Sequence, residues 1–285
     1  ITVANSAPTV SSVNITDGNG GSAVVGNSLT GSYNYADVDN DAQGSSTFRW
    51  LRGVTPIPGA INTTYTLVAA DSGQSITFEV TPVAATGTTT GSAVTSSGVI
   101  VANSAPVASA VSITDTNGGS IVVGDSLTGN YTYSDIDADL EGISTFRWLR
   151  GGIVITGAIA TSYTLVAADS GLSITFEVIP VATTGIATGS VATSTGITVA
   201  NSPPTASGVS ITDDNGGSAV VGDSLTGNYS YSDIDDDLEG ISTFRWLRNT
   251  GPIAGATAST YTLVVADNGQ SITFEVTPVA ATGGT

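Results

Sequence analysis

The segment STFRWLR occurs three times in this chain, and the spacing of its copies decides the fold. The copies stand at 46–52, 144–150 and 242–248. A second segment, SITFEV, recurs with the same spacing at 75–80, 173–178 and 271–276. The period of 98 residues exceeds the roughly 20–50 residues of a solenoid unit but matches one β-sandwich domain of about 100 residues. The sequence therefore predicts three tandem copies of one domain.

The recurring phrase V-A-N-S-[AP]-P predicts the joints between these copies. We expect repeat 1 to span 8–105, repeat 2 to span 106–203 and repeat 3 to span 204–285, with residues 1–7 forming the last strand or linker of a preceding repeat. Repeat 3 stops before the counterpart of 91–104, so it is expected to lack its final strand.

Two explanations of these ends remain open. The chain is a window of a longer array, or residues 1–7 of one molecule complete repeat 3 of the next. The second explanation would build a head-to-tail filament by strand addition.

Short alternating segments bounded by Gly, Asn, Asp and Pro predict an all-β fold. Ile76, Phe78 and Val80 share one face of their segment, and Phe48 and Trp50 share a face of theirs, as alternate residues of a strand do. We expect the single Trp of each repeat to lie in the core. Strands are predicted near 11–17, 23–37, 46–52, 63–68, 74–84 and 92–102.

The strand order, the Trp of FRW and the stretch ADSGQSITFEV (70–80) resemble the immunoglobulin-like repeats of large bacterial surface adhesins. Asp71–Gly73 is similar to the acidic corner that precedes strand F in such domains. Two features depart from the pattern: Ser75 stands where a corner tyrosine is expected, and no cysteine pair exists. The resemblance covers the whole chain. It implies three tandem immunoglobulin-like β-sandwich domains in a linear array, located outside the cell or on a bacterial surface. It also implies scaffolding or adhesion, often with calcium, and no enzymatic activity.

The composition excludes several classes of function. The formal net charge is -18, and the six basic residues are all arginine. Nucleic acids and anionic membrane surfaces are poor partners for such a chain, because both are bound mainly through Lys and Arg. The sequence contains no run of about 20 apolar residues, the pattern that would predict a membrane-spanning helix. The chain has no His, Lys or Cys, which removes the commonest catalytic bases and nucleophiles, so we do not expect an enzyme.

An acidic loop follows the second predicted strand of each repeat: DVDNDAQG at 37–44, DIDADLEG at 135–142 and DIDDDLEG at 233–240. Alternating carboxylates can converge on a hard cation, and calcium takes roughly six to eight oxygens. We expect calcium on the carboxylates of these loops, which belong to Asp37, Asp39, Asp41, Asp135, Asp137, Asp139, Glu141, Asp233, Asp235, Asp237 and Glu239. Repeat 1 has Gln43 where the others have Glu, which predicts a weaker site. The alternative is a solvated turn, which Asp and Gly also favour.

The arginines are expected to be structural. If the strands that contain FRW (48–50) and SITFEV (75–80), strands C and F of such domains, are neighbours, outward-facing Arg49 would lie beside Glu79. Leu51 is expected on the same face of its strand as Arg49, opposite Trp50. Arg52, with its equivalents Arg150 and Arg248, is predicted to lean toward the acidic loop, which would compete with calcium.

Three functions remain open at this point. The chain could be a calcium-stiffened spacer or fibre segment of an adhesin, or a filament subunit whose partners are neighbouring copies of the same repeat. The third function is a carbohydrate-binding module that contacts surface glycans or other cells, with Tyr33, Tyr35 and Tyr65 as candidate platforms.

Overall fold

The computed structural model describes residues 1–283, and β-strands dominate all three repeats. Repeat 1 contains β1 (Thr9–Asp17), β2 (Ser28–Ala36), β3 (Thr47–Arg52), β4 (Thr55–Pro56), β5 (Thr64–Thr66), β6 (Ser75–Thr81), β7 (Val94–Thr95) and β8 (Val99–Ile100). Repeat 2 contains β9 (Val107–Asp115), β10 (Ser126–Ser134), β11 (Thr145–Arg150), β12 (Ile153–Val154), β13 (Ser162–Thr164), β14 (Ser173–Ile179), β15 (Ala192–Thr193) and β16 (Ile197–Thr198). Repeat 3 contains β17 (Thr205–Asp213), β18 (Ser224–Ser232), β19 (Thr243–Arg248), β20 (Gly251–Pro252), β21 (Thr260–Thr262) and β22 (Ile272–Thr277). One turn of 3-10 helix precedes the SITFEV strand in every repeat, at Ala69–Asp71, Ala167–Asp169 and Val265–Asp267.

Each repeat is made of two antiparallel sheets. In repeat 1 the sheets have the orders β1-β2-β5 and β4-β3-β6-β7, with β8 also pairing β6. Repeat 2 has the sheets β9-β10-β13 and β12-β11-β14-β15, with β16 on β14, and repeat 3 has β17-β18-β21 and β20-β19-β22. In repeat 1, β1, β2 and β5 correspond to strands A, B and E of an immunoglobulin-like sandwich, and β3 and β6 correspond to strands C and F of its other sheet, as the sequence predicts.

The core of repeat 1 forms where the two sheets face each other. Trp50 is fully buried, its ring centroid lies 5.0 Å from that of Phe78, and its indole N–H donates to the Asn62 carbonyl at 2.9 Å. On the opposite sheet Gly31 leaves room for the Phe78 ring, because a Cβ at this position would clash with it. Gly227 and Phe274 make the same approach in repeat 3. The alternation in SITFEV therefore places large apolar residues between the sheets.

Leu51 is buried, although it alternates with the core-facing Trp50 along β3. Leu51 is only 9% exposed, because the short strand β4 turns back beside β3 and sets Pro56 opposite it. The sequence pattern did not reveal β4, which has only two residues.

Backbone proximity divides the chain into two compact units. One comprises Ile1–Ala110, Tyr131–Thr145 and Val178–Ala192, and the other comprises Val111–Asn130, Phe146–Glu177 and Thr193–Thr285. The first unit contains repeat 1, the joint that follows it and the acidic loop of repeat 2. The second contains the next joint and repeat 3. Within residues 1–283 no helix is long and apolar enough to cross a membrane.

Candidate metal site at the repeat joints

The acidic loop of repeat 2 folds so that three carboxylates converge. Ala138 adopts a positive φ of 62°, and the Asp137 N–H donates to Asp135 Oδ1 at 2.8 Å, which curls the loop. As a result, Asp135, Asp137 and Asp139 each present a carboxylate oxygen within 4.8 Å of the others. In repeat 3, Asp233, Asp235 and Asp237 form the same cluster. We call these two clusters the aspartate triads.

Several oxygens of the triads are buried without a hydrogen-bond partner among the described residues. The middle aspartates, Asp137 and Asp235, are each only 8% exposed, and the Oδ1 atom of each has no partner. The Oδ2 atoms of Asp135, Asp233 and Asp237 are also buried and unpartnered. Burying a carboxylate without compensation is costly, so such groups are normally paired or bound to a metal. The donor set consists of hard, anionic oxygens, which suits calcium.

The segment that joins repeats 1 and 2 is held by the triad of repeat 2. The Ser104 N–H donates to Asp137 Oδ2 at 2.5 Å, and Asn103 Nδ2 donates to Asp139 Oδ2 at 2.7 Å. The hydroxyl of Thr184 donates to the other oxygen of Asp139. At the next joint the Ser202 N–H donates to Asp235 Oδ2 at 2.5 Å.

The same joint segment is also tied to the end of repeat 1. The Ala102 N–H donates to the Ala23 carbonyl at 2.7 Å, and Asn103 Nδ2 lies 3.3 Å from Ser72 Oγ. The joint therefore has hydrogen bonds to the sandwich before it and to the acidic loop after it. Ile136, from that loop, lies close to Gly26: a Cβ atom added to Gly26 would be 3.8 Å from the Ile136 Cδ1 atom.

A glycine in the loop before β15 makes this joint possible. Gly185 has a φ of 68°, and a side chain on it would clash with Asn103. The neighbouring Ile186 N–H donates to Asn103 Oδ1 at 2.5 Å. Asn103 is thereby held at both ends of its amide, which directs its Nδ2 to the triad.

The loop of repeat 1 has the same hydrogen bonds, and Asp37 Oδ2 is likewise buried without a partner among the described residues. Asp37 Oδ1 accepts the Asp39 N–H at 2.8 Å, and Asp41 accepts Asn5 Nδ2 at 2.8 Å and the Thr86 hydroxyl. However, Asp37, Asp39 and Asp41 do not belong to the carboxylate groups that converge within the described residues, and Asp39 is exposed.

The glutamates expected to complete the site lie apart from the triads. Glu141 Oε1 accepts the Tyr131 hydroxyl and the Ser144 hydroxyl, each at 2.6 Å. Glu239 accepts the hydroxyls of Ser242 and Tyr229 in the same way, and these bonds lower the pKa of its carboxyl. Within the described residues both glutamates therefore bind neighbouring hydroxyls, and neither joins the converging carboxylates.

Hydrogen bonds set the protonation of the third aspartate in the loop of repeat 2. The Thr184 hydroxyl and then the Asn103 amide lower the pKa of Asp139, because both donate to its ionised form. Asp139 is therefore charged at neutral pH, where a cation would bind.

All six arginines are engaged away from the acidic loops. Arg49, Arg147 and Arg245 pair with Glu79, Glu177 and Glu275 on the neighbouring strand, as predicted from strand adjacency. The prediction that Arg52, Arg150 and Arg248 lean toward the acidic loops is wrong. They pair instead with Asp71, Asp169 and Asp267 in the 3-10 turn before strand F.

The buried Asp71 of that turn explains why Arg52 does not lie at the acidic loop. Asp71 is fully buried, and it accepts bonds from Arg52 Nε at 2.7 Å, the Tyr65 hydroxyl at 2.8 Å and the Val68 N–H at 2.8 Å. A buried carboxylate needs such partners more than an exposed one does. Burial and the neighbouring Asp71 raise the pKa of Tyr65 to about 12.

The tyrosines considered for glycan binding are used within the sandwich. Tyr33 packs on Phe48 with ring centroids 5.6 Å apart, and Tyr65 packs on Trp50 at 5.7 Å. The Tyr35 hydroxyl donates to the Asp41 carbonyl at 3.3 Å.

Sequence reasoning missed the residues that carry the joint. Thr184 and Gly185 were not singled out, because both types are common in turns, and Asn103 was considered only as part of the V-A-N-S phrase. A signal was nevertheless present: the pair Thr-Gly recurs at 86–87, 184–185 and 282–283, in step with V-A-N-S.

No protein-family model and no curated protein sequence matches this chain. Among solved structures it is similar to three N-terminal domains of the bacteriophage RB49 Hoc protein, with 15% identity, a TM-score of 0.26, and coverage of 96% of this chain and 87% of that one. A 1.5-MDa bacterial ice-binding adhesin has 16% identity and a TM-score of 0.30, with coverage of 95% and 88%. A Ca²⁺-stabilized adhesin of an Antarctic bacterium has 13% identity and a TM-score of 0.27, with coverage of 100% and 75%.

Because these TM-scores are below 0.5, they carry no inference about what this chain does. The fold and the joints themselves define the class: an all-β protein of three repeated immunoglobulin-like sandwiches. Among residues 1–283, an aspartate triad follows each of the two joints between repeats.

Proposed function

We propose that this chain is a non-catalytic, extracellular structural repeat, a spacer or fibre segment of a bacterial surface adhesin whose joints are held by calcium. One observation carries the proposal: the unpartnered, buried oxygens of Asp137 and Asp235 belong to the same carboxylates that hold the backbone of the joints. A cation on either triad would fix the loop that fixes the joint.

The electrostatics of the chain support a cation. The net charge is -18, and every arginine is already paired with an acid outside the triads. The three carboxylates of a triad therefore repel one another without a basic side chain to compensate them. A divalent ion would remove this repulsion and bind the orphaned oxygens.

Calcium suits the triads better than magnesium. Calcium accepts irregular sets of carboxylate oxygens, whereas magnesium demands near-octahedral geometry and retains much of its water. The residues that would hold it are Asp135, Asp137 and Asp139 in repeat 2, and Asp233, Asp235 and Asp237 in repeat 3.

Thermal unfolding with and without calcium tests this proposal. The unmodified chain should gain stability in calcium and lose that gain in a chelator, because a ligand at about 100 times its Kd contributes about 2.7 kcal/mol. The double variant Asp137→Asn, Asp235→Asn should lose most of the calcium-dependent rise in Tm. The variant Asp39→Asn is the matched control, since Asp39 accepts the equivalent Ser6 N–H but belongs to no converging carboxylate cluster in the part of the chain that the structure describes. An equal calcium effect in all three proteins, or no effect in any, would refute the proposal.

We propose no carbohydrate ligand. The rings of Tyr33 and Tyr65 pack within the sandwich, whereas a sugar platform needs an aromatic face open to solvent. The partners that we propose are further copies of the same repeat.

A further inference from the structure

The sheet that contains the FRWLR strand ends, in every repeat, in a short edge strand. These edge strands are β4 in repeat 1, β12 in repeat 2 and β20 in repeat 3, and each stands at one end of the strand order of its sheet. An edge strand leaves backbone N–H and carbonyl groups unpaired on its outer side, where another strand can add. The residues on that outer side therefore decide whether a second chain can extend the sheet.

The pairing of β12 with β11 shows which of its backbone groups face outward. Leu149 is paired with Val154, and one residue further on the Ile155 N–H donates to the Trp148 carbonyl at 2.9 Å. Because backbone groups alternate between the two sides of an antiparallel strand, the N–H and carbonyl of Val154 point away from β11. Among residues 1–283 no strand pairs with β12 on that side.

Repeats 1 and 3 have proline at the position of Val154. The equivalents are Pro56 in β4 and Pro252 in β20, and each is paired with the leucine of its FRWLR segment, as Val154 is. Proline has no N–H, and in natural sheets it protects edge strands against pairing with other chains. Of the three repeats, only repeat 2 has an N–H at this position.

The side chains of β12 also favour the addition of a strand. The strand consists of Ile153 and Val154, two β-branched residues, which suit a sheet. Both are exposed, at 75% and 46%. The same positions hold Thr55–Pro56 in repeat 1 and Gly251–Pro252 in repeat 3. An outward N–H and exposed β-branched side chains therefore coincide in repeat 2.

The charge around β12 favours a second copy of this chain as the partner. The net charge of the chain is -18, yet residues 142–168 contain no Asp or Glu and include Arg147 and Arg150. The side chain of Arg147 is 43% exposed. Two copies can therefore meet at this edge without the repulsion between carboxylates that opposes contact at the acidic loops.

We propose that β12 pairs with β12 of a second copy of this chain, so that two sheets join edge to edge about a two-fold axis. Antiparallel pairing of two identical strands is self-complementary, because the Val154 N–H of each copy donates to the Val154 carbonyl of the other. The pairing satisfies both outward backbone groups and covers part of the exposed side chains. A contact through so short a strand belongs with the small, weak interfaces.

Sedimentation equilibrium of the full chain, over concentrations up to about 1 mM, tests this inference, because weak complexes are populated in that range. The buffer should contain physiological salt to screen the net charge. It should also contain a chelator, so that the result does not depend on the proposed calcium sites. We expect a dimer of the 28.3 kDa chain to form as the concentration rises.

Val154→Pro should abolish the dimer, because it removes the outward N–H. The variant should still fold, since proline occupies the same position in β4 and β20, and an unchanged thermal unfolding curve checks this. Val154→Thr is the matched control: it keeps the N–H and a β-branched side chain, so it should still form the dimer. Equal loss of the dimer in both variants would contradict pairing through the backbone.

The converse substitution provides a second readout. Pro252→Val should give repeat 3 an edge of the same kind, so that each chain has two pairing edges and forms species larger than a dimer. A chain that stays at 28.3 kDa at every concentration, or association that Val154→Pro leaves intact, overturns the inference.

Discussion

Single residues that differ between the repeats show what each position contributes. In repeat 1, Asn27 Nδ2 donates to Asp17 Oδ2 at 2.8 Å. Repeat 2 has Asp125 at the position of Asn27 and Asp115 at that of Asp17. There Asp115 Oδ2 is buried without a partner among the described residues, and Asp125 Oδ2 accepts the Val122 N–H at 2.9 Å. The replacement of Asn by Asp thus removes the amide donor that Asp17 binds in repeat 1.

We predict that Asp125→Asn stabilises the chain. An amide can keep the bond from Val122 through its oxygen and donate to Asp115 through its nitrogen, as Asn27 donates to Asp17. The gain should be about 1 kcal/mol, the usual net value of one hydrogen bond, seen as a higher urea midpoint in chelator. The reverse change, Asn27→Asp, should lower the midpoint, and shifts of the same sign in both variants would contradict this explanation.

The two arginines of each FRWLR segment should contribute differently to the free energy of unfolding. Arg52 compensates the fully buried Asp71, whereas Arg49 pairs with Glu79 while half of its own side chain stays exposed. Arg52→Met should cost about 3 kcal/mol, because it leaves an uncompensated buried charge. Arg49→Met should cost less than about 1 kcal/mol, as exposed pairs do. Urea unfolding measures the free energy lost in each variant. Equal losses would show that the burial of Asp71 does not make the Arg52 pair more important than the Arg49 pair.

At the scale of elements, the acidic loop and the joint segment act together. The Ser104 and Ser202 N–H groups donate to the middle aspartates of the two triads, and the Ser6 N–H donates to Asp39, which is in no triad. The Ser6 amide is therefore a control for the Ser104 and Ser202 amides, because it makes the same hydrogen bond to a loop that has no triad.

Calcium should slow amide hydrogen exchange at Ser104 and Ser202 more than at Ser6. A bound ion would hold the loop closed, and exchange requires the loop to open. Exchange measured by NMR, with and without calcium, reports each amide separately. Equal protection at all three serines would mean that the triads do not govern the joints.

The strands and their pairing were largely predictable from the sequence. The 98-residue period and the alternation in SITFEV predicted the sandwich and the pairing of Arg49 with Glu79, because both depend on local pattern and strand order. The partner of Arg52 was not predictable in this way. The side chain projects from the end of a strand, and its direction depends on where the buried Asp71 lies in three dimensions.

The candidate site was only partly visible for the same reason. Alternating aspartates indicated the triads, but the spacing could not show that Glu141 bonds Tyr131 and Ser144 instead of joining them. Nor could it show that the joint segment donates to Asp137, because that contact joins residues 33 positions apart.

At the scale of the whole molecule, near-identical repeats do not carry identical sites. The chain has three acidic loops but two aspartate triads among its described residues, in repeats 2 and 3. If calcium binds the triads, the intact chain has two calcium sites, and substitution of Asp137 or Asp235 removes one of them.

The most direct test is calorimetric titration of the full chain with calcium. We predict two sites per chain, one site after Asp137→Asn, and none after Asp137→Asn is combined with Asp235→Asn, whereas Asp39→Asn should leave both. Absence of binding, or a stoichiometry that the Asp137 and Asp235 substitutions leave unchanged, would contradict the claim that these triads hold calcium at the joints.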